Sequence, residues 1–176
     1  MNSSLEKAFI DLYAKEADAV FRFCLMRTSN RDVARDLTQE AFTKIWTSMQ
    51  DGIDIQNMRA FVFKVSRNLL IDWYRKKKPS SLDAMADEDI HGEIALVEDG
   101  AEMAAEMSAE ARFLIAKIGE LEPAYQQVVY LRFVEDLKPQ EIADALGESV
   151  NVISVRITRG IEKLRQMTGY EKENSK

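Results

Sequence analysis

Residues 136–165 read DLKPQEIADALGESVNVISVRITRGIEKLR, and the fold turns on them. Pro139 suits the first helical position, where no backbone N–H is needed, and Glu141 suits the positive end of a helix. Ile142, Ala143 and Leu146 then share one side, and Gly147 supplies the left-handed conformation that stops a short helix. A second helix is expected from Val150 or Asn151, with Val152, Ile153, Ile157, Ile161 and Leu164 as its buried stripe. Ala143 is small enough for the two helices to cross closely. The opposite face of the second helix carries Ser154, Arg156, Thr158, Arg159 and Lys163, with Arg165 beyond. This is the form of a helix-turn-helix, whose second helix lies in a DNA major groove and reaches phosphates and base edges. A helical hairpin with a merely solvated basic face is the plainer alternative.

Outward from this unit, Phe113, Leu114, Ala116 and Ile118 keep helical spacing, and Leu121-Glu122-Pro123 turns the chain into a helix over Tyr125 to Phe133. Before it lies PSSLDAMADEDIHGEIALVEDGAEMAAEMSAEA, with ten carboxylates and no cation in 79–111. Such a stretch reads as a flexible acidic linker. Further upstream, three periodic segments return. One runs from Leu5 to Arg27, a second from about Arg31 to Trp46, and a third from about Met58 to Lys77, with Thr47 to Met58 expected as a loop around Asp51-Gly52. The fold class is therefore all-α, two small helical domains joined by a flexible acidic linker, the C-terminal one a helix-turn-helix. The boundaries read 1–78, 79–108 for the linker, 109–168, and a frayed tail at 169–176.

The third segment, FVFKVSRNLLIDWYRKKK at 61–78, sets six basic groups against Asp72 alone. Phe61, Val62, Val65, Leu69 and Trp73 form one stripe, and Lys64, Arg67, Asn68, Ile71 and Arg75 another. Aromatic rings beside cations suit single-stranded nucleic acid, where stacking contributes roughly 1–3 kcal/mol per base. Aromatics at helical spacing more often fill a core, the reading taken for Phe61, Phe63 and Trp73, with Tyr74 less committed.

Composition removes several classes. The chain has 176 residues, 46% hydrophobic and 31% charged, so it can bury a core. One cysteine, Cys24, allows no internal disulfide or cysteine metal cluster, and it reads as a small buried hydrophobe rather than a redox sensor. One histidine, His91, removes histidine-based zinc motifs. The charged N-terminal segment is neither a signal peptide nor a membrane span, so no membrane insertion is expected. The net charge of −6 hides a basic first half, with 14 cations and 10 anions in 1–78. A polyanion senses such local charge within about 10 Å, so an acidic protein can still bind DNA. No phosphate-gripping glycine loop or nucleophile elbow is visible, and no enzyme activity, cofactor or metal is expected. A magnesium nuclease built on Asp83, Asp87, Asp89, Glu93 and Glu98 is disfavoured, because a flexible linker cannot hold octahedral geometry. The nearer rival is a stand-alone helix-turn-helix regulator, for which residues 10–78 would sense a signal or dimerise.

The pattern as a whole resembles the extracytoplasmic-function branch of the sigma-70 family of bacterial RNA polymerase sigma factors. DVARDLTQEAFTKIW (32–46) is similar to the family's polymerase-binding segment. FVFKVSRNLLIDWYRKKK is similar to its promoter-melting helix, with the R-N-x-x-x-D core at Arg67, Asn68 and Asp72. PAYQQVVYLRFVEDLKPQEIADALG followed by SVRITRGIEKLR is similar to its domain for the −35 element. The resemblance implies a sigma2-like domain at 1–78 and a sigma4-like domain at 109–168. It also implies a cytoplasmic transcription initiation factor that joins core RNA polymerase through the beta and beta-prime subunits, finds promoter DNA and helps melt the −10 element, under an anti-sigma factor.

Carried over, Asp32, Arg35, Asp36, Leu37, Gln39, Glu40 and Phe42 would form or support the core-binding surface. The loop at about 47–57 would hold a flipped −10 base. Lys64, Arg67, Asn68, Asp72, Tyr74 and Arg75 would face the −10 strand, and Ser154, Arg156, Thr158, Arg159 and Lys163 the −35 element. The recognition helix departs from the family's usual G-T-V-K-S-R-L-x-R-A. Ser154 replaces the lysine and Val152 the threonine, removing a cationic contact and a hydroxyl, so the promoter sequence is expected to differ. Gly160 replaces alanine, which costs about 1 kcal/mol of helix stability unless packing compensates.

Overall fold

The computed structural model describes residues 3–77 and 107–169. Its described residues form helices and connections with no strand: α1 Ser3–Thr28, α2 Arg31–Gln50, α3 Met58–Lys77, α4 Ala109–Gly119, α5 Pro123–Phe133, α6 Pro139–Leu146 and α7 Val150–Thr168. The acidic linker up to residue 106, with His91 and the five carboxylates weighed for magnesium, lies outside them. So does the tail beyond Gly169. Of the segment 79–108 only Met107 and Ser108 are described, and Ser108 already caps α4, its hydroxyl accepting from Ala111 N–H at 3.1 Å.

Local chemistry sets the boundaries between α1, α2 and α3. α1 ends where the Thr28 hydroxyl turns back to the Cys24 carbonyl at 2.9 Å and Ser29 takes a φ of 55°. Asn30 then starts α2, its side-chain oxygen accepting from Val33 N–H at 3.0 Å. Ala34, Leu37, Ala41, Phe42 and Ile45 bury the inner face of α2. This helix continues to Gln50, four residues past the expected end at Trp46. Thr47 and Ser48 have weak helix propensity, and their hydroxyls bond back to the Thr43 and Lys44 carbonyls at 3.1 and 2.9 Å, which adds no helix stability; the extension is held by Met49, which packs against the core. The expected loop from Thr47 thus shortens to 51–57, beginning at Asp51 and Gly52, the latter at φ 69°. Asn57 closes it by accepting from Ala60 N–H at 3.0 Å, and α3 follows. Val62, Phe63, Ser66, Leu69 and Leu70 of α3 are buried, with Phe63 edge-on to Phe23 of α1 at 5.5 Å between centroids.

In the second half, Pro123 opens α5 and Pro139 opens α6. The Glu141 carboxylate accepts from Lys138 N–H at 2.7 Å, and Gly147, at φ 71°, ends α6. Ser149 caps α7 by accepting from Val152 N–H at 3.3 Å. Ile153 and Ile157 of α7 are buried and Ile161 and Leu164 half-buried, as the stripe requires, but Val152 is exposed and leaves the stripe. At about 100° per residue Val152 stands some 100° from Ile153, on the outer flank of α7.

The halves are packed together rather than apart. α3 lies against α6, and the buried residues of α1 to α3 run continuously into those of α5 to α7. Tyr130 of α5 is fully buried with its ring centroid 6.3 Å from that of Phe23. Arg27 of α1 is inserted beside them, its guanidinium 3.7 Å above the Phe23 ring and 5.1 Å from Tyr130. Nothing in the periodicity of either half predicts this docking.

Candidate functional site

Three surfaces carry the candidate residues. On α2, Asp32, Arg35, Asp36, Gln39 and Glu40 are exposed and Leu37 and Phe42 buried, so the last two hold the face in place from below. Arg35 pairs with Asp32 at 3.5 Å and Lys44 with Glu40 at 3.6 Å, exposed contacts worth little energetically. Beside this face runs an apolar groove of about 720 Å³, walled by Phe9, Ile10, Tyr13, Phe42 and Trp46 with Glu6 and Gln39 at its rim. Ile10 is 63% and Tyr13 45% exposed. The groove was not anticipated from the sequence. Its signal was Ile10, a large apolar residue standing off the stripe of α1.

On α3, Lys64, Asn68, Asp72 and Arg75 are exposed along one line and Arg67 is half-buried at its edge. Tyr74 is engaged elsewhere. Its hydroxyl donates to the Arg27 carbonyl, and burial raises its ionisation above the usual phenol range. Of the aromatics read as core, Phe63 is fully buried and Phe61 and Trp73 are half-buried against the core. The 51–57 loop, Phe61 and Lys64 bound a depression of about 280 Å³ whose far wall is Asp144, from α6.

On α7, Ser154, Thr158 and Arg159 are exposed, and together with Val155 and Glu162 they line a shallow depression of about 360 Å³. Arg156 is half-buried and reaches Glu148 at 2.6 Å. Lys163 holds Glu122 at 2.8 Å, and that bond raises its ionisation. The ammonium also lies 5.2 Å from the Tyr125 ring centroid. Arg156 and Lys163 therefore stand on the flank of α7, whereas its outward centre is Asn151, Val155, Thr158, Arg159 and Glu162. Asn151, Val155 and Glu162 are not among the sequence candidates, although the helical wheel alone places them opposite Ile153 and Ile157.

Among the described residues no group of three His, Cys, Asp or Glu side chains could hold a metal ion, and no helix is long and apolar enough to cross a membrane. A helix-turn-helix with an outward-facing Thr158 and Arg159, joined to a helical half with a cationic face on α3, defines a DNA-binding transcription protein as a class.

Comparison with known proteins refines the class. The family description "Sigma-70 region 2" matches residues 12–79 and "Sigma-70, region 4" matches residues 114–164. The ECF RNA polymerase sigma factor SigW of Bacillus subtilis is 30% identical over 170 residues, covering 92% of this chain and 89% of SigW. Among solved structures, the sigma factor RpoE in complex with the anti-sigma factor NepR, from Bartonella quintana, matches with a TM-score of 0.70 at 20% identity. That match covers 94% of this chain and 99% of RpoE. CnrH in complex with the cytosolic domain of CnrY matches with a TM-score of 0.64 at 21% identity, over 93% and 89% of the two chains, and shares the fold. The chain belongs to the sigma-70 family, in its extracytoplasmic-function branch, and acts in promoter-specific transcription initiation.

Proposed function

We propose that this sigma factor binds core RNA polymerase, at the beta-prime and beta subunits, through the polar face of α2, with the adjoining apolar groove receiving part of the partner. The exposed line on α3 and the 51–57 loop take the −10 strand, and the outward face of α7 takes the −35 element in a major groove. The observation that carries this reading is positional. The region 2 and region 4 matches fall on the two helical groups whose exposed faces hold the candidate residues. The α3 line is suited to a strand because it mixes Lys64 and Arg75, for phosphates, with Asn68, for a base edge. The domain division at 1–78 and 109–168 belongs to the same proposal. The protein works in the bacterial cytoplasm and is restrained by an anti-sigma factor. Support for restraint is the likeness to RpoE, whose solved complex contains one.

The test is reconstitution of the full chain with core RNA polymerase on fragmented genomic DNA from its source, with sequencing of transcript 5′ ends. Discrete starts with shared upstream motifs are expected. Sequence-specific binding by the protein alone, without starts, would instead identify a stand-alone regulator. Asp36→Ala is expected to weaken core binding about tenfold, while Arg159→Ala weakens promoter-directed transcription by about tenfold with core binding intact. Equal loss of core binding in both variants would refute the assignment of faces.

A further inference from the structure

The outward face of α7 carries two valines where solvent favours polar groups. Val152 is 40% and Val155 48% exposed, and their spacing makes them neighbours on the helix surface. Neither serves the fold, since a β-branched residue lowers helix propensity and an exposed one gains little burial. Both replace hydroxyl residues, threonine and serine, of the family's usual pattern. At about 100° per residue Val155 stands directly opposite the midpoint of buried Ile153 and Ile157. Ser154, Thr158 and Arg159 surround it in the shallow depression of α7.

The flanking cations are placed differently. Arg156 is drawn to Glu148 at 2.6 Å and Lys163 to Glu122 at 2.8 Å. A helix in a major groove turns its flanks toward the phosphates and its outward centre toward the base edges. Glu162, about two turns beyond Val155, repels phosphate, so the half of α7 that suits the groove is the N-terminal one, with Val152 and Val155 on it.

We infer that Val155 is a specificity-determining residue that reads the C5-methyl group of a thymine in the −35 element, with Val152 flanking the contact. The inference rests on the assignment of α7 to that element. The thymine methyl is the one apolar group among the base-edge signals of the major groove. Against it an isopropyl group gains burial, and against any other edge it covers a donor or acceptor that it cannot satisfy. Discrimination therefore has an attractive and a repulsive part. Because Val155 carries no charge, its preference is independent of salt, unlike the phosphate contacts of cations.

The experiment uses the full chain with core RNA polymerase on a promoter located by start mapping. Each thymine of the −35 duplex is replaced in turn by uracil, which removes the methyl group and leaves the hydrogen-bonding edges intact. Transcript yield at limiting holoenzyme is measured for wild type, Val155→Ala and Arg159→Ala, each checked for helix content. At one thymine the wild type should lose about fourfold on uracil, the factor that burial of one methyl group provides, at low and high salt alike. Val155→Ala should bring that ratio close to one. Arg159→Ala should lower the yield from both templates and keep the ratio. A −35 element without an A·T pair, a wild type indifferent to uracil at every position, or a thymine preference that Val155→Ala retains would overturn the inference. If scrambling the −35 element and Arg159→Ala both leave the yield unchanged, the assignment of α7 to that element falls instead.

Discussion

Cys24 lies on the inner face of α1 with no exposure, and burial pushes its thiol up to about 12, against the partial pull of nearby Arg27. The thiolate is the reactive form, so the native protein should be inert to thiol reagents at pH 8 and react only as fast as α1 opens. The sign of the pH effect follows from proton counting. Between about 9 and 12 the unfolded thiol has lost its proton and the folded one keeps it, so unfolding releases protons and stability falls as pH rises. The slope from this one group is about 1.4 kcal/mol per pH unit at most. Tyr130, also raised by burial and then by Glu135, adds a decline of the same sign above the ordinary phenol range. Urea titrations from pH 8 to 10.5 should therefore show falling stability that Cys24→Ala partly flattens. Rapid labelling of Cys24 in native buffer would refute the sealed site.

At the scale of elements, the α5–α7 crossing explains Gly160. A Cβ built there would stand 2.5 Å from Cγ2 of Val129, a buried β-branched side chain with little freedom to move, and 3.4 Å from the Tyr125 Cβ. The helix therefore gives up about 1 kcal/mol of propensity to allow close approach. Gly160→Ala should lower stability by about 1–3 kcal/mol, measured by thermal or urea unfolding, because overpacking outweighs the propensity gain. A more stable variant would show that Val129 yields. This junction also marks the limit of what periodicity reveals. The helices α1 to α3 and the helix-turn-helix were readable because apolar residues three and four apart and caps such as Gly147 are local signals. The extra turn of α2 was not, since Thr47 and Ser48 have weak helix propensity and the turn is held by Met49 packing against a core that no local pattern shows. Val152 escaped too, because hydrophobicity alone assigns a valine to the stripe that the geometry of α7 denies it. Cations were readable as a candidate DNA face, but the commitment of Arg156 to Glu148 and of Lys163 to Glu122 depends on neighbours 8 and 41 residues away.

For the whole molecule, the decisive pairs are more remote still: Arg22 with Glu135 spans 113 residues and Arg59 with the Glu135 carbonyl spans 76. No local pattern encodes such partners, which is why the two halves read as independent. Their docking predicts coupled unfolding. The two tryptophans, Trp46 and Trp73, both lie in the first half, so fluorescence follows that half alone, whereas circular dichroism follows every helix. With the Phe23, Arg27 and Tyr130 stack shared between the halves, neither can unfold without exposing part of the other's core. The two signals should therefore give one urea midpoint in the wild type, the mark of a two-state unit. Glu135→Gln, which leaves that stack in place, should lower the common midpoint without parting the two signals. Separate midpoints in the wild type would mean that the shared core does not bind the halves into one cooperative unit. Parted midpoints in Glu135→Gln would place the coupling in the buried carboxylate and not in the Phe23–Tyr130 packing.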